Sequence, residues 1–460
     1  MKILILGAGQ VGSTVAHVFS KEAQNEITII DSHYEPLAAL KEQYDIRTIR
    51  GNAAHPTVLE EADAASADII IAVTSSDEVN IVACQLAYSL FNVKLKIARL
   101  RSQAYIEHSD NIFGYKINSA FNIDVVISPE ILVTDQIKNI IELPGAHDVL
   151  RFAKGKALMI STDIQEGAPF AYRSIAEIRE KLPHINVNFT VLFRDGEEFF
   201  PNGETVLLPG DYLYFLTARH QARHLIEKLN PTNKTAKKII IAGGGNIGAQ
   251  LAETLETFAQ VKVIETDSDR AHRLSSNLNN SLVLQGDCTD ENLLFEENIE
   301  TTDIFCAVTN DDQTNILSSM LAKRLGAKYA MTLINRSSFL ELIQEESKID
   351  LAFSPQQVTL STLLTYIRKG DVVQVYSLGL GSAEAIEIVA HGTEESSKLI
   401  GKHICDIKWP EGTILSGIIR KGNVLIINDE TLIEDDDHII LYINNKDSIP
   451  EIEELFKINN

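Results

Sequence analysis

The chain has 460 residues, more than one hydrophobic core usually covers, so at least two domains are expected. Its content of 45% hydrophobic, 7% aromatic and 23% charged residues is that of an ordinary globular chain and excludes disorder, collagen or coiled coil as overall descriptions. The net charge of −23, spread over both halves, disfavours nucleic acid and direct binding to anionic lipid, because both need basic patches.

The N-terminus reads as a strand from Ile3 to Leu6, apolar on both faces, and its apolar stretch is too short for a secretory signal. Helical spacing follows over Ser13 to Lys21, with Val15, Val18 and Phe19 on one face. Further strands are expected at Ile27–Ile30, Asp68–Val73 and Lys96–Ala98, with a helix near Asn80–Leu90 between the last two. Strands alternating with helices predict a parallel, doubly wound sheet. From about residue 150 to 216 the grammar changes to short β runs, Asn188–Phe193, Thr205–Leu208 and Tyr212–Leu216, separated by turn signals at Asp195-Gly196, Asn202-Gly203 and Pro209-Gly210. A small α+β domain is expected there. A polar joint, Asn230 to Thr235, reads as linker.

Beyond the joint the pattern starts again. Lys2 to Gly12 returns as Lys238 to Gly248 with six of eleven positions identical, and Ala72 to Asn80 returns as Ala307 to Asn315 with five of nine. Gly51-Asn52-Ala53 matches Gly286-Asp287-Cys288, and Ser128-Pro129 matches Ser354-Pro355. Four matches in one order at nearly constant offset mark a tandem duplication. The late β runs also return over about residues 371–446, with Arg420-Lys421-Gly422 matching Arg194-Asp195-Gly196 and Asp437 matching Asp211. The expected fold is therefore α/β: two Rossmann domains, each followed by a small α+β domain.

Each large unit carries a dinucleotide fingerprint. Gly7, Ala8, Gly9, Gln10, Val11 and Gly12 form a G-x-G-x-x-G loop between a strand and a helix, and Asp31 ends the next strand 19 residues after Gly12. The first glycine permits the tight turn, the second lets the backbone approach a pyrophosphate, the third packs helix on strand, and the acid accepts the ribose hydroxyls. Gly243, Gly244, Gly245, Asn246, Ile247 and Gly248 repeat the loop, with Glu265 as the acid 17 residues on. An acid at that position favours NAD(H) or an adenine nucleotide over NADP. The Thr74-Ser75 loop follows a strand and can touch the nucleotide, while Ser75, Ser76 or Asp77 can also cap the next helix. Arg99 ends the following strand within reach of a phosphate. Aligning Arg101 with Arg336 makes Ile334 its counterpart, which suggests that the second site binds more weakly or takes a different ligand.

Other chemistry finds little support. A dehydrogenase needs an acid–base residue beside the nicotinamide, and none stands out among the 12 scattered histidines. His220-x-x-x-His224 has metal-ligand spacing but reads as an exposed helix face, and Glu434 to Asp437 reads as a solvated turn. No P-loop motif occurs. Cys84, Cys288, Cys306 and Cys405 are far apart without a C-x-x-C, as expected of a reducing, cytoplasmic compartment.

With Gly7 to Gly12, Asp31, Gly51 to Ala53, Thr74 to Asn80 and Ala98 to Arg101, and with Gly243 to Gly248, Glu265, Gly286 to Cys288 and Asn335-Arg336, the sequence resembles the TrkA family, the NAD-binding regulatory subunits of Trk potassium uptake systems. The resemblance covers essentially the whole chain. It implies an RCK N-terminal (KTN) domain at 1–125, a crossover helix and RCK C-terminal (TrkA-C) domain at 126–228, a linker at 229–236, and the same pair at 237–352 and 353–460. It further implies NAD(H), with ATP or ADP as additional ligands, held by the two glycine loops, Asp31, Asn52, Ala53, Thr74, Ser75 and Arg99 in the first half. In the second half the holders are Glu265, Asp287, Cys288 and Thr309. Gating of a Trk-type potassium-translocating membrane protein in place of turnover, a homo-oligomer with a tetramer as the ring-forming size, and a peripheral position on the inner membrane face through that partner are implied too. In this family the segment from Ser128 to Leu143, with Ile131, Leu132, Ile137, Ile140 and Ile141 at near-helical spacing, crosses to a neighbouring RCK unit.

Overall fold

The computed structural model describes residues 1–22, 24–113, 120–231, 235–346, 349–368 and 370–458. Linker positions 232–234 lie outside the described residues.

The first half opens with six strands: β1 (Lys2–Leu6), β2 (Glu26–Asp31), β3 (Arg47–Arg50), β4 (Ile69–Ala72), β5 (Leu95–Arg99) and β6 (Val125–Ile127). They form one parallel sheet in the order β3-β2-β1-β4-β5-β6. The order reverses between β1 and β4, which opens the crevice at the strands' carboxyl ends where ligands of such sheets bind. β1 and β4 are apolar on both faces because helices cover both, and Leu4, Leu6, Ile70 and Ala72 share a core with Cys84 and Ala87 of the helix Asp77–Phe91.

β7 (Asp148–Phe152), β8 (Ala157–Asp163), β9 (Val187–Arg194), β10 (Glu197–Phe199) and β11 (Tyr212–Ala218) form an antiparallel sheet in the order β10-β9-β11-β8-β7. The expected strand at Thr205–Leu208 is not formed; only Val206 makes an isolated bridge, to Ser174. Its backbone bonds go to the segment before the helix Ile175–Lys181: the Leu207 amide donates to the Arg173 carbonyl at 3.0 Å, and the Leu207 and Thr205 carbonyls accept the Tyr172 and Ile175 amides at 2.7 and 2.9 Å. Past it the amide of Leu208 is taken by the Asp211 carboxylate at 2.7 Å, and Pro209 has no amide to give.

The second half repeats both sheets. β12 (Lys238–Ala242), β13 (Gln260–Glu265), β14 (Leu282–Gln285), β15 (Ile304–Ala307), β16 (Tyr329–Leu333) and β17 (Leu351–Phe353) run parallel in the order β14-β13-β12-β15-β16-β17. β18 (Val372–Leu378), β19 (Ala383–Ala390), β20 (Thr413–Arg420), β21 (Asn423–Leu425) and β22 (Asp437–Ile443) are antiparallel in the order β18-β19-β22-β20-β21. Asp437 is not part of a solvated turn. It is fully buried and takes a bidentate bond from Arg420 at 2.8 Å on each oxygen, as Asp211 does from Arg194 at 2.7 Å. A buried carboxylate needs such a fork, and the repeat places the same one in both sheets.

The chain divides into two compact units that do not follow the repeat boundary: Met1–Val133 with Ser354–Leu360, and Thr134–Phe353 with Ser361–Asn460. Two helices account for this. Pro129–Glu142 follows β6, and its Thr134 hydroxyl meets Gln250 of the second repeat at 3.4 Å within the larger unit. Pro355–Ile367 follows β17, and its Gln356 accepts a hydrogen bond from Thr14 of the first repeat at 3.0 Å within the smaller one. Gln250 and Thr14 hold the same place in their helices, so each repeat lends its crossing helix to the other. In the larger unit the two antiparallel sheets share one core, with Leu150, Phe152 and Met159 against Leu378, Ala385 and Tyr442, and Tyr376 bonds the backbone of Arg151.

Candidate functional site

β1 ends at Leu6 and the chain turns at Gly7, whose φ of +103° an L side chain would rarely adopt. Its amide donates to the Ile30 carbonyl at 2.7 Å, pinning the turn beside β2. A Cβ on Gly12 would lie 1.9 Å from the Gly7 carbonyl oxygen, so the third glycine is fixed by packing. Gly9 is different: a Cβ there would meet nothing within 4 Å. The protein itself makes no demand for glycine at this position, and the space it leaves lies at the N-terminus of the helix Gln10–Ser20. That helix has no side-chain cap and no acidic residue in its first turn, whereas Ser76, Asp267, Asp290 and Asp311 cap the helices they precede. Uncapped amides beside open space suit an anion.

Asp31 closes the other side. Its Oδ2 accepts the Ala8 amide at 2.7 Å and its Oδ1 the His33 amide at 2.8 Å. Burial raises its pKa, but those amide bonds and the His33 ring outweigh it and hold the carboxyl below its usual value. An ionised acceptor thus stands next to the anion site, as a ribose next to a pyrophosphate requires. The residues present therefore fit an adenine nucleotide.

The remaining expected residues fall into three groups. Thr74 packs its backbone against Gly7, its hydroxyl donates to Asn80 at 2.7 Å, and Ser75 is exposed beside it; Ser76, not Ser75, caps the helix. Gln10 and Asn52 are exposed, and the Asn52 side chain accepts the Ala54 amide at 2.9 Å. Val11 and Ala53 are buried, Ala53 in the core, so a ligand can reach only their backbone. Arg99 is 13% exposed and its Nη2 lies 3.7 Å from Glu130 Oε1, with Arg101 Nε at the same distance from that oxygen. Arg99 Nε is buried with no hydrogen-bond partner among the described residues.

The second repeat copies the scaffold. Gly243 has φ +107°, a Cβ on Gly248 would sit 1.9 Å from the Gly243 oxygen, and Gly245 faces open space before the uncapped helix Asn246–Leu255, with Asn246 exposed and Ile247 half-buried. Glu265 accepts the Gly244 amide at 2.8 Å, and Thr309 packs on Gly243 as Thr74 does on Gly7. Asp287 is exposed and bonds Thr289, while Cys288 is buried in the core with its thiol pushed up to about 11 by desolvation. The counterpart of Arg99 is Leu333, not Ile334. Asn80 Nδ2 bonds the Arg99 carbonyl where Asn315 Nδ2 bonds that of Leu333, and Asp77 takes the Arg101 amide where Asp312 takes that of Asn335. The one-residue slip arises because the helix is two residues shorter and the connection to the next strand one residue longer in the second repeat; the second site lacks the arginine either way. Asn80, Asn315, Glu130 and Arg270 were missed as site residues, although the identity of Asn80 and Asn315 across the repeats was a usable signal.

The TrkA-N domain family matches residues 3–129 and 239–355, and the TrkA-C domain family residues 160–230 and 393–457. The chain belongs to the TrkA family. It is 44% identical over 457 residues to the Trk system potassium uptake protein TrkA of Vibrio alginolyticus, covering 99% of both chains. It is 43% identical to the TrkA proteins of Halomonas elongata, over 100% of this chain and 99% of that one, and of Haemophilus influenzae, over 99% of both. Among solved structures, the GsuK RCK domain matches with a TM-score of 0.62 at 18% identity, over 99% of this chain and 94% of the other. The GsuK channel bound to NAD matches with 0.60 at 19%, over 98% and 79%. These two likenesses bear on the fold alone, which they share over nearly the whole chain.

Proposed function

We propose that this TrkA chain is the non-enzymatic regulatory subunit of a Trk potassium transporter, binding NAD(H) and ADP or ATP in its TrkA-N domains and gating potassium uptake by the membrane subunit. The observation that carries the nucleotide reading is the pairing of the open space at Gly9 with the ionised Asp31. Gly7, Ala8, Gly9, Gln10, Val11 and Gly12 present amides to the pyrophosphate, Asp31 orients the ribose, and Thr74, Ser75, Asn52 and Ala53 border it; the second repeat uses the corresponding residues. The nucleotide supplies charge and binding energy here, not hydride chemistry.

A nucleotide shifts a two-state assembly only by binding one state better. Arg99 offers the route: a phosphate that engages it competes with Glu130, the second residue of the crossing helix Pro129–Glu142. Binding is thereby felt by the helix that reaches the other repeat. We further propose domain boundaries at 1–125, 126–228, 237–352 and 353–460 around a 229–236 linker, a homotetrameric ring, and attachment to the inner membrane face through the membrane subunit. No helix among the described residues is long and apolar enough to cross a membrane, which agrees with attachment through a partner.

The test is NADH and ADP binding by calorimetry together with potassium flux through the membrane subunit, in wild type, Asp31→Ala and Glu265→Ala. Asp31→Ala should weaken NADH binding more than Glu265→Ala and impair gated flux. Intact binding in both variants would sink the assignment.

A further inference from the structure

Asp31 and Glu265 end equivalent strands, yet their oxygens are not equally available. Glu265 Oε2 accepts the Gly244 amide at 2.8 Å and Arg270 Nη1 at 3.3 Å; Oε1 accepts the Asp267 amide at 2.9 Å and the Thr266 hydroxyl at 3.3 Å. A carboxylate has about four lone-pair sites, so these donors fill it. Asp31 Oδ1 meets the His33 amide at 2.8 Å and ring nitrogen at 3.2 Å, but among the described residues Oδ2 accepts only the Ala8 amide, leaving one lone pair open. The side chains follow suit, 15% exposed at Asp31 and 5% at Glu265.

The difference traces to one position. The third residue of the helix after β2 is Pro36, which has no donor; the third residue of the helix after β13 is Arg270. Arg270 is 45% exposed, so it can swing away into water.

We propose that Arg270 is a specificity-determining latch: it closes Glu265 against a ribose 2′,3′-diol, so that the second site accepts an adenine nucleotide only by displacing the guanidinium. This rests on the nucleotide reading above and makes the second site the weaker one for ligands with a free diol. A half-exposed ion pair of this kind is worth up to about a fivefold change in affinity.

The experiment titrates the full-length chain with NADH and, separately, ADP by calorimetry. Gly9→Val and Gly245→Val isolate the second and first sites, since a Cβ at either glycine meets nothing within 4 Å. In the Gly9→Val background, Arg270→Met should tighten second-site binding threefold to fivefold. In the Gly245→Val background, Pro36→Arg should weaken first-site binding by a similar factor. Weaker binding with Arg270→Met would make Arg270 a ligand contact and overturn the latch, and so would no change. Wild-type chain that binds neither probe would instead bring down the nucleotide reading, and the latch with it.

Discussion

Asn80 donates through Nδ2 to the Arg99 carbonyl at 2.9 Å, and its Oδ1 accepts both the amide and the hydroxyl of Thr74, at 3.0 and 2.7 Å. One fully buried amide group thus ties the loop after β4 to the end of β5, and Asn315 does the same with Thr309 and Leu333. Asn80→Ala leaves several buried backbone groups without a partner, each costing about 1–3 kcal/mol. We expect a total loss of about 3 kcal/mol, seen as a lower urea midpoint at unchanged m-value. Asn80→Asp should not rescue it, because a carboxylate cannot donate to the Arg99 carbonyl.

Glycines in the same motif should separate binding from folding. Gly12→Ala forces a Cβ onto the Gly7 carbonyl and should cost about 2–3 kcal/mol or prevent folding. Gly9→Val should leave the melting temperature near that of the wild type while weakening first-site nucleotide binding at least tenfold. A Gly9→Val protein that melts as early as Gly12→Ala would mean the open space is not there in solution.

Asp148 at the start of β7 should make stability depend on pH. Burial pushes its pKa up to about 6, against a smaller downward pull from the Val149 amide, Gln136 and His147. The unfolded carboxyl titrates near 3.8. Between these values the folded chain holds a proton the unfolded chain has lost. The contribution is therefore full below pH 3.8 and is lost as pH rises through about 6. Asp148→Asn should raise stability at pH 7–8 by about 1–2 kcal/mol, allowing for partial exposure, and flatten the slope of stability between pH 4 and 6. An unchanged slope in denaturant titrations across that range would count against the shift.

The Arg194–Asp211 and Arg420–Asp437 forks should be worth similar amounts in the two antiparallel sheets. Asp437→Ala removes the partner of a half-shielded guanidinium and the acceptor of the Glu434 amide, and Asp211→Ala does the same for Leu208. Each should cost about 3 kcal/mol, with the double variant close to additive unless the shared core couples them. Calorimetric unfolding of the three proteins decides it.

Much of this architecture was legible in the sequence because its signals are local. Apolar runs such as Ile69–Ile71 name buried parallel strands, and glycine spacing names the turn at Gly7. The repeat turned weak signals into strong ones. What was not legible depends on through-space partners: Asp437 is one more acid in a run of four without Arg420 beside it, and Thr205–Leu208 has strand composition but spends its backbone bonds on Tyr172–Ile175. The Arg99 counterpart was misplaced by one residue because alignment by Arg101 and Arg336 ignored sheet register. Arg270 gave no signal at all, since nothing in a sequence says which lone pairs are already taken.

The exchange of crossing helices between the repeats has a consequence for dilution. A chain with one repeat could complete this arrangement only by colliding with a copy of itself, at a rate set by its concentration in the cell. Joined end to end, the repeats see each other at a local concentration fixed by the length of the tether and not by the number of molecules. The exchanged pair is then present in every molecule, however few there are, and a cell holding only a handful of these subunits still has each one fully assembled at this level.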